Sequence, residues 1–270
     1  MSEKRMTTLD FSIVVVSHNH RGVIEKCFDS LYSLPDRASF EALLIDNTCT
    51  DGAANWVEQH YPRVKVHRNA ERCGFAANAN TGMRMLERGR YVLLLNPDVI
   101  SIAGMLDRLV DFMDAHTDAG IAAPRLFHAD GTRQPNCRRF PTPAMLAMRA
   151  LRMDELWRSS QVRRYLMDDR EHTQAAEVDW VTGAALVARR SAIAEVGMMD
   201  ERYFLYWEDL DWCYRMRRAG WHVYYVPEAR AVHGYRREGV RRPISRAGRE
   251  QMLGALKFFR KFGWRAGKVA

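Results

Sequence analysis

The sequence predicts an α/β fold, a mostly parallel central sheet with helices on both faces. Two observations predict it. Short runs of β-branched and aliphatic residues alternate with segments of helical period over roughly the first 100 positions. Each of these runs also ends in a polar cluster, and open parallel sheets bind their ligands beyond the carboxyl ends of the strands.

The first run, Phe11 to Ser17 (FSIVVVS), has the length and composition of a buried parallel strand. It ends in Ser17-His18-Asn19. A helical stretch follows, with Ile24, Cys27, Phe28 and Leu31 on one face and Pro35 closing it. Glu41 to Ile45 reads as the second strand and ends in Asp46-Asn47. NTCTDGAANWVEQ then supplies a turn and a helix start, with Thr50 or Asp51 as N-cap. Val64 to His67 reads as a short strand, Asn78 to Arg88 as a helix, and Tyr91 to Leu95 as the fourth strand, stopped by Asn96-Pro97-Asp98. Beyond residue 100 the alternation weakens. Ile102 to His116 and Ala144 to Trp157 read as helices, residues 125–178 are rich in arginine, and a second organised block runs from Asp179 to His233. Gly248 to Phe262 reads as a basic amphipathic helix.

The bulk numbers narrow the function classes. The chain has 270 residues, 47% of them hydrophobic, enough for a sizeable core. No apolar run reaches the length of about 18 residues that a membrane-crossing helix needs, and MSEKRMTTLD lacks the apolar core of a signal peptide. The five cysteines are far apart and form no CxxC pair, so they read as free thiols and a cytoplasmic setting is expected. The net charge of +8 fits nucleic acid, anionic membrane or polyanionic small molecules. A nucleic-acid binder is disfavoured because no helix-turn-helix, zinc finger or aromatic RNP pattern is present. The sequence also lacks GxGxxG and the P-loop, which removes the usual dinucleotide and ATP signatures.

Five clusters carry chemistry. Asp46-Asn47 ends a strand, where a carboxylate or amide can read the edge of a pyrimidine base, although such turns also serve as helix caps. In NAERCGFAANANTG, Gly74 admits close backbone approach of a ligand, while Gly82 suits packing. Asp98 offers a carboxylate to a hard cation whose shell a diphosphate would complete, or else it is a turn residue. Glu208, Asp209 and Asp211 stand among aromatics. They suit a helix first turn, or a general base whose pKa is raised by apolar neighbours. His233 becomes a metal ligand only beside Asp98.

Taken in order, SIVVVSHN, LLIDNTCTDG, NAERCGFAANANTG, YVLLLNPDV, DWVTGAALVARRSAIAEVGMMDERYFLYWEDLDWCYRMRRAGW and VHG resemble glycosyltransferase family 2, closest to its bacterial rhamnosyltransferase-like branch, over roughly residues 11–235. The resemblance implies the GT-A nucleotide-diphospho-sugar transferase fold. It implies a domain over residues 1–245, with a nucleotide-binding half at about 11–100 and an acceptor and catalytic half at 101–245, followed by the C-terminal helix of 246–270. It implies an inverting transfer from a nucleotide diphosphate sugar, dTDP-rhamnose first and a UDP-sugar second, to a glycan or lipid-linked acceptor in cell-surface polysaccharide synthesis. Ser17 and Asn19 would cradle the nucleotide, Asp46 or Asn47 would bind the base, and Arg72, Gly74 and Asn78 fall in the donor loop. Asn96-Pro97-Asp98 stands where the family has its DxD motif, with the first Asp replaced, so Asp98 becomes the main carboxylate on Mg²⁺ or Mn²⁺ and His233 the second ligand. Glu208-Asp209 matches the acidic pair, with Asp209 as base. From the residues themselves, Met252, Leu256 and Phe259 form an apolar stripe widened by Leu253, Phe262 and Trp264. Lys257, Arg260, Lys261 and Arg265, with arginines 236, 237, 241, 242 and 246, add positive charge suited to an anionic membrane surface.

Overall fold

The computed structural model describes residues 8–143, 145–146, 160–169, 171–234 and 246–264. Most of the helix expected over Ala144 to Trp157 lies outside them, as do Arg236, Arg237, Arg241, Arg242 and Arg265 and the side chain of Arg246.

The chain begins with the expected alternation: β1 (Leu9–Ser17), α1 (Arg21–Tyr32), β2 (Phe40–Asp46), α2 (Ala53–His60), β3 (Lys65–Arg68), α3 (Phe75–Met85) and β4 (Gly89–Leu95). These four strands are parallel and stand in the order β3-β2-β1-β4. Their side chains alternate between two cores, as the two-residue period of a strand requires. Phe11, Ile13 and Val15 pack with Ile24, Cys27 and Phe28 of α1 on one face, and Val14 packs with Ala76, Ala79 and Met83 of α3 on the other. Burial on both faces explains why β1, β2 and β4 read as continuous apolar runs.

The second half differs from an all-parallel sheet. It contains β5 (Val99–Ser101), α4 (Met105–Ala115), β6 (Ala119–Phe127), β7 (Arg133–Gln134), β8 (Cys137–Arg138), α5 (Ser160–Tyr165), β9 (Ala176–Glu177), β10 (Trp180–Val181), β11 (Ala185–Arg189), α6 (Arg190–Val196), α7 (Glu208–Arg218), β12 (His222–His233) and α8 (Arg246–Phe262). β11 inserts antiparallel between β4 and β6, and β12 runs parallel to β6 and antiparallel to β5. The sheet is therefore mixed, and the consequence is local. The end of β4 meets the start of β11, so Leu95 faces Ala185 and Asn96 donates its backbone N–H to the Ala184 carbonyl at 2.8 Å.

Two expected boundaries shift. α2 starts after Gly52, which adopts φ 78°, and no side chain caps it. Asp51 instead accepts the N–H of Ala53 at 3.1 Å and that of Arg21 at 2.7 Å, tying the first two helices together. α3 starts at Phe75, three residues earlier than the apolar spacing indicates.

α8 docks on the domain through a different face from the one its apolar stripe predicts. Phe258 and Phe259 are buried against Trp207, with ring centroids 5.6 Å and 6.3 Å away. Gly254 is the point of closest approach, since a β-carbon there would meet the indole Cδ1 at 2.4 Å. Lys261 bonds Asp200 at 2.7 Å and Asp211 at 2.6 Å, and Lys257 donates to the Arg202 carbonyl at 2.6 Å. Phe259, Lys257 and Lys261 thus belong to the seat of the helix. Met252, Leu253, Leu256 and Trp264 stay outside, with Arg249 and Arg260 exposed among them.

Candidate active site

The polar strand ends converge on one edge of the sheet. Beyond β1 and β2, Asp46, Thr48, Cys49, Thr50, Arg68 and Asn69 line an open cleft of about 480 Å³. Asp46 is nearly buried. Its Oδ1 accepts the Cys49 N–H at 2.7 Å and its Oδ2 lies 3.9 Å from the Arg68 guanidinium. Asn19 holds the rim of the cleft by accepting the Thr50 N–H at 2.7 Å, with its own backbone at φ 60°. Ser17 is fully buried behind it, 3.5 Å from His20.

The loop from Asn69 to Gly74 is pinned by amides. Asn47 gives its NH₂ to the Cys73 carbonyl at 2.9 Å and takes the Cys73 N–H at 2.9 Å and the Asn69 amide at 3.1 Å. Asn78 accepts from Asn69 at 2.6 Å and donates to the Gly74 carbonyl at 2.8 Å. Asn47 and Asn78 were both expected to face the ligand. Their hydrogen-bonding groups are instead spent on the loop, because a buried amide must be satisfied where it lies. Arg72 is exposed on the same loop. Gly74 is also reassigned. The space a side chain would occupy is taken by Phe204, whose carbonyl oxygen would stand 2.7 Å from a β-carbon and accepts the Phe75 N–H at 2.8 Å. The glycine allows one protein loop to approach another, where the sequence pointed to a ligand.

Asp98 and His233 meet because β12 pairs with β5 in a register that sets His233 opposite Val99. His233 Nε2 is 3.2 Å from Asp98 Oδ1 and 3.5 Å from the Asn96 amide, and its Nδ1 faces Gln134 Oε1 at 3.0 Å. Burial would raise the Asp98 pKa, but the hydrogen bond and charge of His233 outweigh it and hold the carboxyl below its ordinary value. Gly234 leaves room beside the carboxylate, a β-carbon there standing 3.4 Å from Oδ2. A carboxylate and an imidazole converging at this distance fit a divalent cation whose other ligands are substrate oxygens and water. Among the described residues, no group of three or more His, Cys, Asp or Glu side chains converges as a self-sufficient metal cage.

The acidic pair opens α7, as expected. It follows Tyr206 and Trp207, at φ 69° and 75°, two consecutive side-chain-bearing residues in the left-handed region. Such backbone costs about 1–3 kcal/mol per residue and persists only where surrounding structure enforces it, here α8 against Trp207. Asp209 Oδ2 accepts the Gly183 N–H at 2.9 Å and Oδ1 its neighbour's, Leu210, at 2.8 Å. Glu208 is buried, and its Oε2 has no hydrogen-bond partner among the described residues. Burial pushes the Glu208 pKa well up and the charge of Asp209 adds to it. Burial raises Asp209 too, against the pull of its two amides and Arg138. Gly183 precedes Ala184, the partner of Asn96. The backbone thus links the acid pair to Asn96 and, two residues further on, Asp98.

Residues 12–196 match the sequence profile of Glycosyl transferase family 2, which is more than half of the chain. The chain belongs to glycosyltransferase family 2. Among its relatives, N-acetylglucosaminyl-diphospho-decaprenol L-rhamnosyltransferase of Mycobacterium tuberculosis is 30% identical over 86% of this chain and 78% of that protein. Rhamnosyltransferase WbbL of Escherichia coli is 26% identical over 82% of each. The fold is that of solved glycosyltransferase structures. The mannosyltransferase PcManGT from Pyrobaculum calidifontis, solved with GDP-Man and Mn²⁺, superposes with a TM-score of 0.61 at 18% identity, covering 98% of this chain and 67% of that one. The expected GT-A fold and the rhamnosyltransferase-like branch of family 2 are thereby shown.

Sequence reading missed three residues of this glycosyltransferase site. Gly183 anchors Asp209, Arg138 lays its charge near Asp209 while stacking 5.1 Å over Trp180, and Gln134 holds His233. Arg138 was only one of a crowd of arginines. Several of its neighbours are neutralised within the fold, Arg133 by Asp168 at 3.1 Å and Arg139 by Asp169 at 4.0 Å.

Proposed function

We propose that the protein is an inverting, metal-assisted glycosyltransferase whose donor is dTDP-rhamnose or, second, a UDP-sugar, and whose acceptor is a lipid-linked glycan of cell-surface polysaccharide synthesis. The observation that carries this reading is the junction of β4 and β11, where the Asp98–His233 pair and the anchored carboxylate of Asp209 are tied to one backbone crossing. The branch relatives, named as rhamnosyltransferases, supply the sugar, and one named for a diphospho-decaprenol substrate supplies the lipid.

Asp46, half of whose carboxylate remains beside the cleft, reads the base N–H of a pyrimidine, while Ser17 and Asn19 shape the floor and rim of the cleft. Arg72, exposed on the neighbouring loop, meets the diphosphate. Asp98 and His233 would hold Mg²⁺ or Mn²⁺, which when bound neutralises charge growing on the departing diphosphate. Asp209 removes the acceptor's hydroxyl proton as that oxygen attacks the anomeric carbon. The bond to the diphosphate breaks on the opposite side and the centre inverts. Asp209 suits this role because two amides fix its orientation while burial keeps its basicity up. Glu208 is the second carboxyl of the acidic pair, buried beside it at the start of α7.

The outer face of α8 fits an anionic membrane surface. Met252 is 63% exposed, Leu256 55% and Leu253 48%, between Arg249 and Arg260, and Trp264, just past the helix end and stacked on Phe259 at 5.3 Å, is 63% exposed. Among the described residues, no helix is long and apolar enough to cross a membrane.

The test is release of nucleoside diphosphate from a panel of nucleotide sugars offered with a polyprenyl-diphosphate-linked N-acetylglucosamine acceptor. Turnover of dTDP-rhamnose above the UDP-sugars is expected. A preference for GDP-mannose in direct competition would refute the donor reading.

A further inference from the structure

His233 has two ring nitrogens, and only one can face a metal. Nε2 points towards Asp98 and Asn96, whereas Nδ1 points at the side-chain oxygen of Gln134. Both side chains are buried, His233 at 7% exposure and Gln134 at 5%, so water does not substitute for this contact. Gln134 reaches the ring because β7 pairs with the end of β6, Gln134 lying beside Leu126, while β12 pairs with β6 along its length. Gln134 and His233 thus meet across one strand from positions 99 apart in sequence.

We propose that Gln134 is a positioning residue for the metal centre: its amide oxygen accepts the Nδ1 proton of His233 and so keeps Nε2, beside Asp98, as the nitrogen open to a cation. This rests on the metal reading above. The chemistry is restrictive. Without a cation, Asp98 Oδ1, 3.2 Å away, competes for a proton on Nε2. A cation arriving between the two displaces that proton, while an oxygen opposite Nδ1 keeps a proton there and leaves Nε2 as the lone pair of the neutral ring. An amide nitrogen in the same place would donate to Nδ1, push the proton to Nε2 and block the ligand position. Outer partners of this kind orient metal-binding histidines, and losing one costs roughly 10–100-fold in metal affinity. The same contact aims the ring, since an imidazole held at Nδ1 cannot swing away from Asp98.

The experiment is Mn²⁺ binding to the full chain in the presence of UDP, followed by electron paramagnetic resonance. It compares wild type with Gln134→Met, Gln134→Glu and His233→Ala, with thermal denaturation of each. Gln134→Met, of similar volume and without the acceptor, is expected to weaken Mn²⁺ binding roughly 10–100-fold. Gln134→Glu, which keeps an acceptor opposite Nδ1, is expected to restore it. In wild type loaded with Mg²⁺ and UDP, ¹⁵N NMR of His233 is expected to show the proton on Nδ1. Unchanged Mn²⁺ affinity in Gln134→Met overturns the proposal while leaving the metal reading intact, and a proton on Nε2 in the loaded ring overturns the proposal as well. Unchanged affinity in His233→Ala overturns the metal reading itself. If Gln134→Met proves unstable, the NMR tautomer and the Gln134→Glu variant still decide.

Discussion

Gly74 and Phe204 touch backbone to backbone: a β-carbon on Gly74 would stand 2.7 Å from the Phe204 carbonyl oxygen and 2.8 Å from its Cα. This contact, with the Phe75 N–H bonded to the Phe204 carbonyl at 2.8 Å, joins the Asn69–Gly74 loop to the segment that leads into Glu208-Asp209. Gly74→Ala is expected to destabilise the protein by about 1–3 kcal/mol, the cost of overpacking. It should also lower kcat and weaken donor binding together. Thermal denaturation and donor titration check this, and an effect on stability alone would mean the contact only supports the fold.

Asp209→Asn is expected to keep the fold and donor binding and to lower kcat at least roughly a hundredfold, the scale of a lost general base. Glu208→Gln should cost much less. If the two losses were reversed in a steady-state comparison, Glu208 would take the role.

The pH dependence follows from burial. Asp209, raised above its ordinary value mainly by desolvation, must be ionised to act. The acid limb of the rate profile is therefore expected above the usual aspartate range, near pH 4. Glu208 gives a separate signature in stability. Its folded-state pKa is raised, so the stability it contributes is fully present below its unfolded value and is lost as pH rises through the folded one. Glu208→Gln should raise Tm relative to wild type at pH 8, and the gain should vanish near pH 4. A gain independent of pH would contradict the buried charge.

Activity is expected to disappear in excess chelator and to return with Mn²⁺ or Mg²⁺. Asp98→Ala and His233→Ala should each raise the metal concentration needed for rescue. Full turnover in chelator would shift charge neutralisation onto arginines such as Arg72.

Sedimentation with vesicles tests the outer face of α8. Salt-sensitive binding to anionic vesicles is expected, with little to neutral ones, and Leu256→Glu together with Met252→Glu should abolish it. These residues are exposed, so the double variant should keep its Tm. Equal binding of both vesicle types, or of neither, would leave α8 as a packing element only.

Much of this was legible in the sequence because it is local. The buried face of α1 is the one its spacing gives, since a helix fixes which residues share a side. Asp98 at a strand end and the acids Glu208, Asp209 and Asp211 at a helix start stood out by short-range rules, while the resemblance to the family chose Asp209 among them. What was not legible depends on pairing between distant segments. The antiparallel insertion of β11 depends on the rest of the sheet, and local pattern cannot encode it. The amides of Asn47 and Asn78 resemble ligand contacts until the Asn69–Gly74 loop folds over them. In α8, composition located the apolar stripe but not which side docks. That is decided by the missing side chain of Gly254, which lets Trp207 in.

The seat of α8 has a thermodynamic consequence. Trp207 holds its left-handed backbone one residue before Glu208, and Gly254, Phe258 and Phe259 close around its ring. Any ligand that favours the ordered acid pair must therefore also favour the seated helix. Reciprocity then fixes the converse: a ligand that binds the outer face only while the helix is seated would tighten binding at the acid pair by the same factor. Through the Trp207 ring, the outer face of α8 and the acid pair would then share one linked equilibrium.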